Sequence, residues 1–291
     1  MRSRRRADPF EAVPAVLREG RIGGLRVARW EAGPSDGRPL VLVHGGGVDE
    51  ARISWGTQIG PLGEAGRRII APDLPGYGLS EGFRRRHTPA DIGAFLVTLF
   101  DHLEFDCVDL CGISMGGAAV LHVALDHPSR VRRLVALAPY GLLGTSPHPW
   151  LYWLAARAPV HRMAYALIAG SERFAYRSTA RLYADSTRID DPLIPQVMAS
   201  ARRQLRRPAF RDFAQAEMTR RGFNTDLAPR LAGIKVPATI IHGEDDPLIP
   251  IGASRRAVAG TGVALRAIPG GHLLPRERPR EVREAILRAI A

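Results

Sequence analysis

Lysine is nearly missing from this chain of 291 residues: Lys235 is the only one, so the formal charge of +12 is carried almost entirely by arginine. The arginines are dispersed in short groups, at 84–86, 202–203, 206–207, 220–221 and 255–256, with no interleaved aromatic stripe and no DNA-binding motif. That pattern argues against nucleic acid as a partner and leaves attraction of an anionic substrate or partner as the consequence of the charge. Cysteine is scarce too. Cys107 and Cys111, on one strand, would sit roughly 13 Å apart, too far to bridge, so no disulfide framework is expected. No run of 18 apolar residues occurs, which excludes a membrane-spanning helix. The basic start, Met1-Arg2-Ser3-Arg4-Arg5-Arg6, is followed by Ala7-Asp8-Pro9-Phe10-Glu11 rather than an apolar core, so a secretion signal is not expected and the cytoplasm is the default location. The 30 glycines have no three-residue period, which excludes collagen. The 45% of apolar residues excludes a disordered chain, and a core of this size needs no metal or disulfide staple.

What the sequence does have is an alternation of short apolar runs and helical segments. After a basic, Pro-containing lead-in (1–20), strands are expected at 25–30, 40–43, 68–71, 107–111 and 131–138. Helices are expected at 89–103, with Thr88 as N-cap and Pro89 at the first position, and at 115–126. From about 141 to 229 the rhythm breaks into helix-like stretches, 150–169, 171–187, 193–206 and 210–221. Alternation resumes at 238–242, then 253–259, 264–268 and a closing amphipathic helix at 281–290. Such a pattern predicts an α/β fold with a mostly parallel, doubly wound sheet (core 1–140 and 230–291) and an inserted helical cap or lid (141–229). The apolar stretch 150–169 fits either the core of that cap or a homodimer face.

Gly112-Ile113-Ser114-Met115-Gly116 stands between a strand and a helix. In that setting the two glycines permit a tight turn that exposes the serine hydroxyl at the end of the sheet, with the helix N-terminus behind it. A serine needs a base. His272, in Gly270-Gly271-His272 after the last strand, follows the serine in the chain and lies in the last loop of the sheet. His44 belongs to the turn His44-Gly45-Gly46-Gly47 and is expected to prop that loop. The base needs an orienting acid. The strand 238–242 runs into Gly243-Glu244-Asp245-Asp246-Pro247, at the carboxyl end where open α/β sheets place their sites. Asp246 is preferred over Asp245.

Those segments, with Pro72-Asp73-Leu74-Pro75-Gly76-Tyr77-Gly78-Leu79-Ser80, resemble the α/β-hydrolase superfamily in its lidded serine-hydrolase branch. The resemblance covers 39–140 and 230–290. It implies a triad of Ser114, His272 and Asp246 and an oxyanion hole from the backbone N–H groups of Met115 and, in the glycine turn, Gly46. It also implies an esterase- or lactonase-like hydrolase that needs no metal or organic cofactor and acts on a small, largely apolar molecule. Leu143, Trp150, Tyr152 and Trp153 are expected to wall the substrate pocket. Haloalkane dehalogenases and epoxide hydrolases of this fold carry aspartate where Ser114 stands. Ring-cleavage carbon–carbon hydrolases share the triple glycine but typically have Asn before the serine and Trp after the histidine, where this chain has Ile113 and Leu273. A carbon–carbon hydrolase, or a lyase, isomerase or cyclase acting on a ketone or polyketide-like substrate, is the alternative chemistry. A ligand-sensing protein that keeps only the pocket is a third reading.

Overall fold

Strands buried on both faces read as unbroken apolar runs, and here they form the middle of an eight-stranded sheet. The computed structural model describes residues 15–83 and 87–291; the basic run at the N-terminus and the arginines at 84–86 lie outside the described residues. In chain order the elements are β1 (Val16–Ile22), β2 (Leu25–Ala32), β3 (Arg38–Val43), α1 (Ala51–Glu64), β4 (Arg67–Pro72), α2 (Pro89–His102), β5 (Val108–Ile113), α3 (Met115–Asp126) and β6 (Val131–Leu137). Five helices follow before the next strand: α4 (Pro149–Arg157), α5 (Val160–Gly170), α6 (Glu172–Ala180), α7 (Leu193–Arg206) and α8 (Ala209–Glu217). The chain closes with β7 (Ala238–Gly243), α9 (Ile251–Val258), β8 (Ala264–Ile268), α10 (Leu274–Glu277) and α11 (Pro279–Ala289).

The sheet order is β1-β2-β4-β3-β5-β6-β7-β8, parallel from β4 onward and antiparallel at β1–β2 and β2–β4. Side chains of successive strand residues go to opposite faces. Val41 and Val43 of β3 and Leu110 of β5 join one core, with Phe95, Leu96 and Leu99 of α2 and Val120 of α3. Leu40, Leu42, Cys111 and Ile113 join the other, with Trp55, Ile59 and Leu62 of α1 and Val282 and Ile286 of α11. Cys107 and Cys111 are both free.

Helix α2 starts as its sequence dictates. The Thr88 hydroxyl accepts from the Asp91 N–H (3.1 Å), the Asp91 carboxylate accepts from the Thr88 N–H (3.1 Å), and Pro89 needs no donor partner there.

Three stretches depart from expectation. The lead-in ends sooner than its composition suggests, because residues 16–22 form β1, an edge strand with charged, exposed side chains that pairs antiparallel with β2. Helix α1 carries Gly56, Gly60, Gly63 and Pro61, a composition that disfavours a helix in isolation; packing of its nine buried residues against the sheet overrides propensity. The apolar stretch 150–169 is two helices, broken at Ala158-Pro159, where proline removes a donor and restricts the residue before it.

Candidate active site

The carboxyl ends of β5, β7 and β8 deliver Ser114, Asp246 and His272 to one rim of the sheet. Ser114 has φ +54° and ψ −118°, a strained conformation for a residue with a side chain. The turn is held by Ser114 N–H donating to the Leu137 carbonyl (2.9 Å) and by the Ser114 carbonyl accepting from Tyr140 N–H (3.0 Å) and Ala118 N–H (3.0 Å). Both flanking glycines are sterically required. A Cβ on Gly112 would run into the Gly116 carbonyl, and a Cβ on Gly116 into the carbonyls of Val43 and His44. The elbow is thereby pressed against the glycine turn.

His272 Nδ1 donates to Asp246 Oδ2 at 2.7 Å. Asp246 Oδ1 accepts from the N–H groups of Leu248 (2.8 Å) and Ile249 (2.9 Å), while Asp245 is exposed. Burial alone would raise the Asp246 carboxyl. The nearby His242 ring, the hydrogen bond and charge of His272 and the Ile249 N–H outweigh that and hold it well below the ordinary carboxylate range. With Nδ1 as donor, the neutral ring has its lone pair on Nε2. Ser114 and His272 line the same cavity, and no hydrogen bond joins Ser114 Oγ to the ring in this structure. Such contacts often tighten only when substrate binds.

The cavity measures about 360 Å³, with mainly apolar walls. Leu143 and Tyr152 line it, as do Ile113 and Leu273, beside Phe210 and Phe213 of α8 and Phe223 of the loop after that helix. Trp150 and Trp153 do not. Four successive residues on a helix span about 300° of the circle, so they cannot all look inward, and of 150–153 it is Tyr152 that reaches the cavity. Trp150 is exposed, and Trp153 lies between the guanidinium groups of Arg157 (4.7 Å) and Arg220 (4.3 Å).

Gly46 and Met115 also line the cavity beside Ser114. Gly45 is committed elsewhere: its N–H donates to Asp49 Oδ2 (2.7 Å). Sequence reasoning missed Asp49. It is buried, lines the cavity, and also accepts from the Ser54 hydroxyl (2.6 Å) and the Glu50 N–H (2.8 Å). Burial pushes its carboxyl up to about 6, against the pull of those donors and of His272. Two further residues were missed. His242, fully buried, donates from Nε2 to the Ile249 carbonyl (2.7 Å), accepts at Nδ1 from the Ser254 hydroxyl (2.8 Å), and stands 3.5 Å from Asp246 Oδ2. Glu277 accepts from Gly271 N–H (2.7 Å), just before His272, and from Ala184 N–H (3.2 Å) and Asp185 N–H (2.9 Å) of the helical insertion. The His272 N–H itself donates to the Leu182 carbonyl (2.7 Å), so this histidine is tied to the insertion as well as to the sheet.

His44 props its loop. Nδ1–H donates to the Gly45 carbonyl (2.7 Å), and Nε2 accepts from the Leu74 N–H (3.0 Å), a pattern open only to the neutral ring. Burial lowers its pKa to about 4, partly offset by the Gly45 bond. Between pH 6.5 and 4 the unfolded chain therefore binds more protons at this residue than the folded chain. Its contribution to stability is present above pH 6.5 and is lost as pH falls through 4. Replacing His44 by Gln should flatten that part of the stability–pH curve by up to about 3 kcal/mol. Urea midpoints of both proteins between pH 4 and 8 would check this, and equal slopes would refute it.

The sequence model of the alpha/beta hydrolase fold family matches residues 38–278. The chain belongs to the α/β hydrolase fold family. This α/β hydrolase is 30% identical over 249 residues to a 2-hydroxymuconate semialdehyde hydrolase of Pseudomonas sp. (strain CF600), across 83% of this chain and 81% of that one. It is 29% identical over 280 residues to the dihydrolipoyllysine-residue acetyltransferase component of the acetoin cleaving system of Pseudomonas putida, across 95% of this chain and 70% of that one. Among solved structures, a serine hydrolase involved in carbazole degradation superposes with a TM-score of 0.79 at 23% identity, over 95% of this chain and 99% of that one. The eight-stranded, mostly parallel sheet is the fold expected of this family, and the protein is an enzyme of the hydrolase class.

Proposed function

We propose that this α/β hydrolase cleaves an uncharged ester or lactone by two-step acyl transfer. Ser114 attacks the carbonyl while His272 Nε2 takes its proton. Asp246 fixes the tautomer and stabilises the imidazolium. The N–H groups of Met115 and Gly46 hold the developing oxyanion, with each well-placed donor worth about 3 kcal/mol. Water activated by His272 then releases the acid. The helical insertion 141–229 acts as the lid. The observation that carries this reading is the 2.7 Å bond between Asp246 and His272 at the wall of a cavity that also contains Ser114.

The choice of substrate rests on the cavity walls. Their ionisable side chains are Asp49, His272, Tyr140 and Tyr152, with no arginine or lysine among the described lining residues to receive a substrate carboxylate. The relative that acts on 2-hydroxymuconate semialdehyde favours a second reading, carbon–carbon bond hydrolysis. Turnover of a panel of nitrophenyl esters and lactones, set beside 2-hydroxy-6-oxodienoates, separates the two. The first reading expects ester turnover with an initial burst of nitrophenol stoichiometric with enzyme. Dienoate turnover exceeding that of every ester would replace it with the second.

A further inference from the structure

The outer surface of the lid carries apolar side chains that the catalytic reading does not use. On α4, Trp150, Leu151 and Leu154 are exposed within an arc of about 100° around the helix. On the adjacent α5, Val160, Met163 and Leu167 are exposed at i, i+3 and i+7, and Met163 retains 63% of its accessible surface. Packing does not account for this pattern, because α5 already buries its other face through Tyr165, Ile168 and Ala169. A helix that is apolar on its solvent side as well is the feature to be explained.

Charge identifies the occupant. Residues 141–171 contain no aspartate or glutamate, and the charged side chains among them are Arg157 and Arg162, both exposed. Arg220 and Arg221 are exposed on the loop after α8, and the Arg220 guanidinium lies over Trp153. None of these four arginines is in an ion pair with a described residue; Arg157 is held by the carbonyls of Trp153, Met218 and Gln215. Apolar and aromatic side chains rimmed by unneutralised arginine match an anionic bilayer surface: the apolar groups enter the headgroup boundary and the guanidinium groups meet phosphates. A second copy of the chain is the poorer fit. A two-fold contact would set this face against itself, arginine facing arginine, with no acid in the segment to compensate.

We infer that the outer face of α4 and α5 docks this enzyme on anionic phospholipid bilayers. Tyr152 lies on α4, is half exposed and also lines the cavity, so the docked face borders the way into the active site. A substrate dissolved in the bilayer would then reach the cavity without crossing bulk water. The inference concerns binding and stands apart from the choice of ester or carbon–carbon substrate.

Co-sedimentation of the full-length protein with vesicles of phosphatidylcholine, with and without phosphatidylglycerol, tests it. The wild type should bind the phosphatidylglycerol vesicles, with binding weakened by added salt, and should bind pure phosphatidylcholine poorly. The double variant Leu154→Asp/Met163→Asp should lose at least about tenfold in partitioning, and Arg162→Glu should lose affinity for the anionic vesicles alone. Neither variant touches the cavity, so both should turn over a water-soluble ester as the wild type does, which also shows that they fold. Absence of wild-type binding to either vesicle overturns the inference. So does a concentration-dependent dimer, abolished by Leu154→Asp/Met163→Asp, in a protein that ignores vesicles; the face would then belong to a second copy.

Discussion

Ser114→Ala is expected to lower kcat by about 10⁶-fold while leaving the thermal midpoint within a degree or two of wild type, since alanine occupies the same turn with the same backbone strain. His272→Ala should fall to a similar level, and the double variant no lower. The reason is mechanistic: a nucleophile without a base and a base without a nucleophile are equally unable to form the acyl-enzyme, so their losses do not add. Residual turnover would come from the Met115 and Gly46 donors and from binding in the 360 Å³ cavity. Single-turnover assays with a nitrophenyl ester would show the burst vanish in all three variants. Full turnover by Ser114→Ala would sink the acyl-transfer mechanism. Additive losses would mean that Ser114 and His272 serve different steps.

Much of the fold was legible because the local rules agree with the tertiary outcome. The central runs of β3, β5 and β7 are mostly apolar because both faces are covered, and each ends at a glycine or a polar turn. Helix α2 announces its start through Thr88-Pro89 and Asp91. Helix α1 was not legible because glycine and proline make it a poor helix on its own; only the sheet beneath it supplies the reason to fold. Strand β1 was missed because an exposed edge strand needs charged residues to stay soluble, and these read as loop.

The site divides along the same line. Ser114, His272 and the acidic turn are marked by glycines that close backbone approach requires. Asp49, His242 and Glu277 are not, since no glycine motif brackets them and their partners become visible only when the turns, and for Glu277 the contact with the insertion, have formed. Asp49 reaches Gly45 only once the glycine turn has folded back, and Glu277 finds Ala184 only across the junction with the helical insertion. The nearest thing to a signal was the spacing of His242 and Asp246, four residues apart across a tight turn. Of the four residues expected at the cavity wall, Leu143 and Tyr152 line it and Trp150 and Trp153 do not, for a related reason. Composition marked 150–153 as aromatic, but which of them face the cavity is set by helix phase and by the arginines that claim Trp153.

Asp246→Asn should cost about 10⁴ in kcat with a much smaller change in KM, whereas Asp245→Asn, at an exposed position beside it, should stay near wild type. The backbone donors of Leu248 and Ile249 would still find an acceptor in the amide oxygen, so the turn should survive. The amide nitrogen would then occupy the place of Oδ2, where it can only donate to His272 Nδ1. That bond selects the tautomer with the proton on Nε2 and leaves no lone pair for the Ser114 hydroxyl. Activity lost this way should recover partly at high pH, where hydroxide can act as base. A variant that had merely lost its fold would recover nothing. His242 adds a second consequence. Standing 3.5 Å from the same carboxylate oxygen, it helps keep that oxygen charged, so His242→Phe should weaken catalysis through Asp246 without touching substrate. An Asp246→Asn protein with wild-type kcat would show that the imidazole is oriented by something other than this carboxylate.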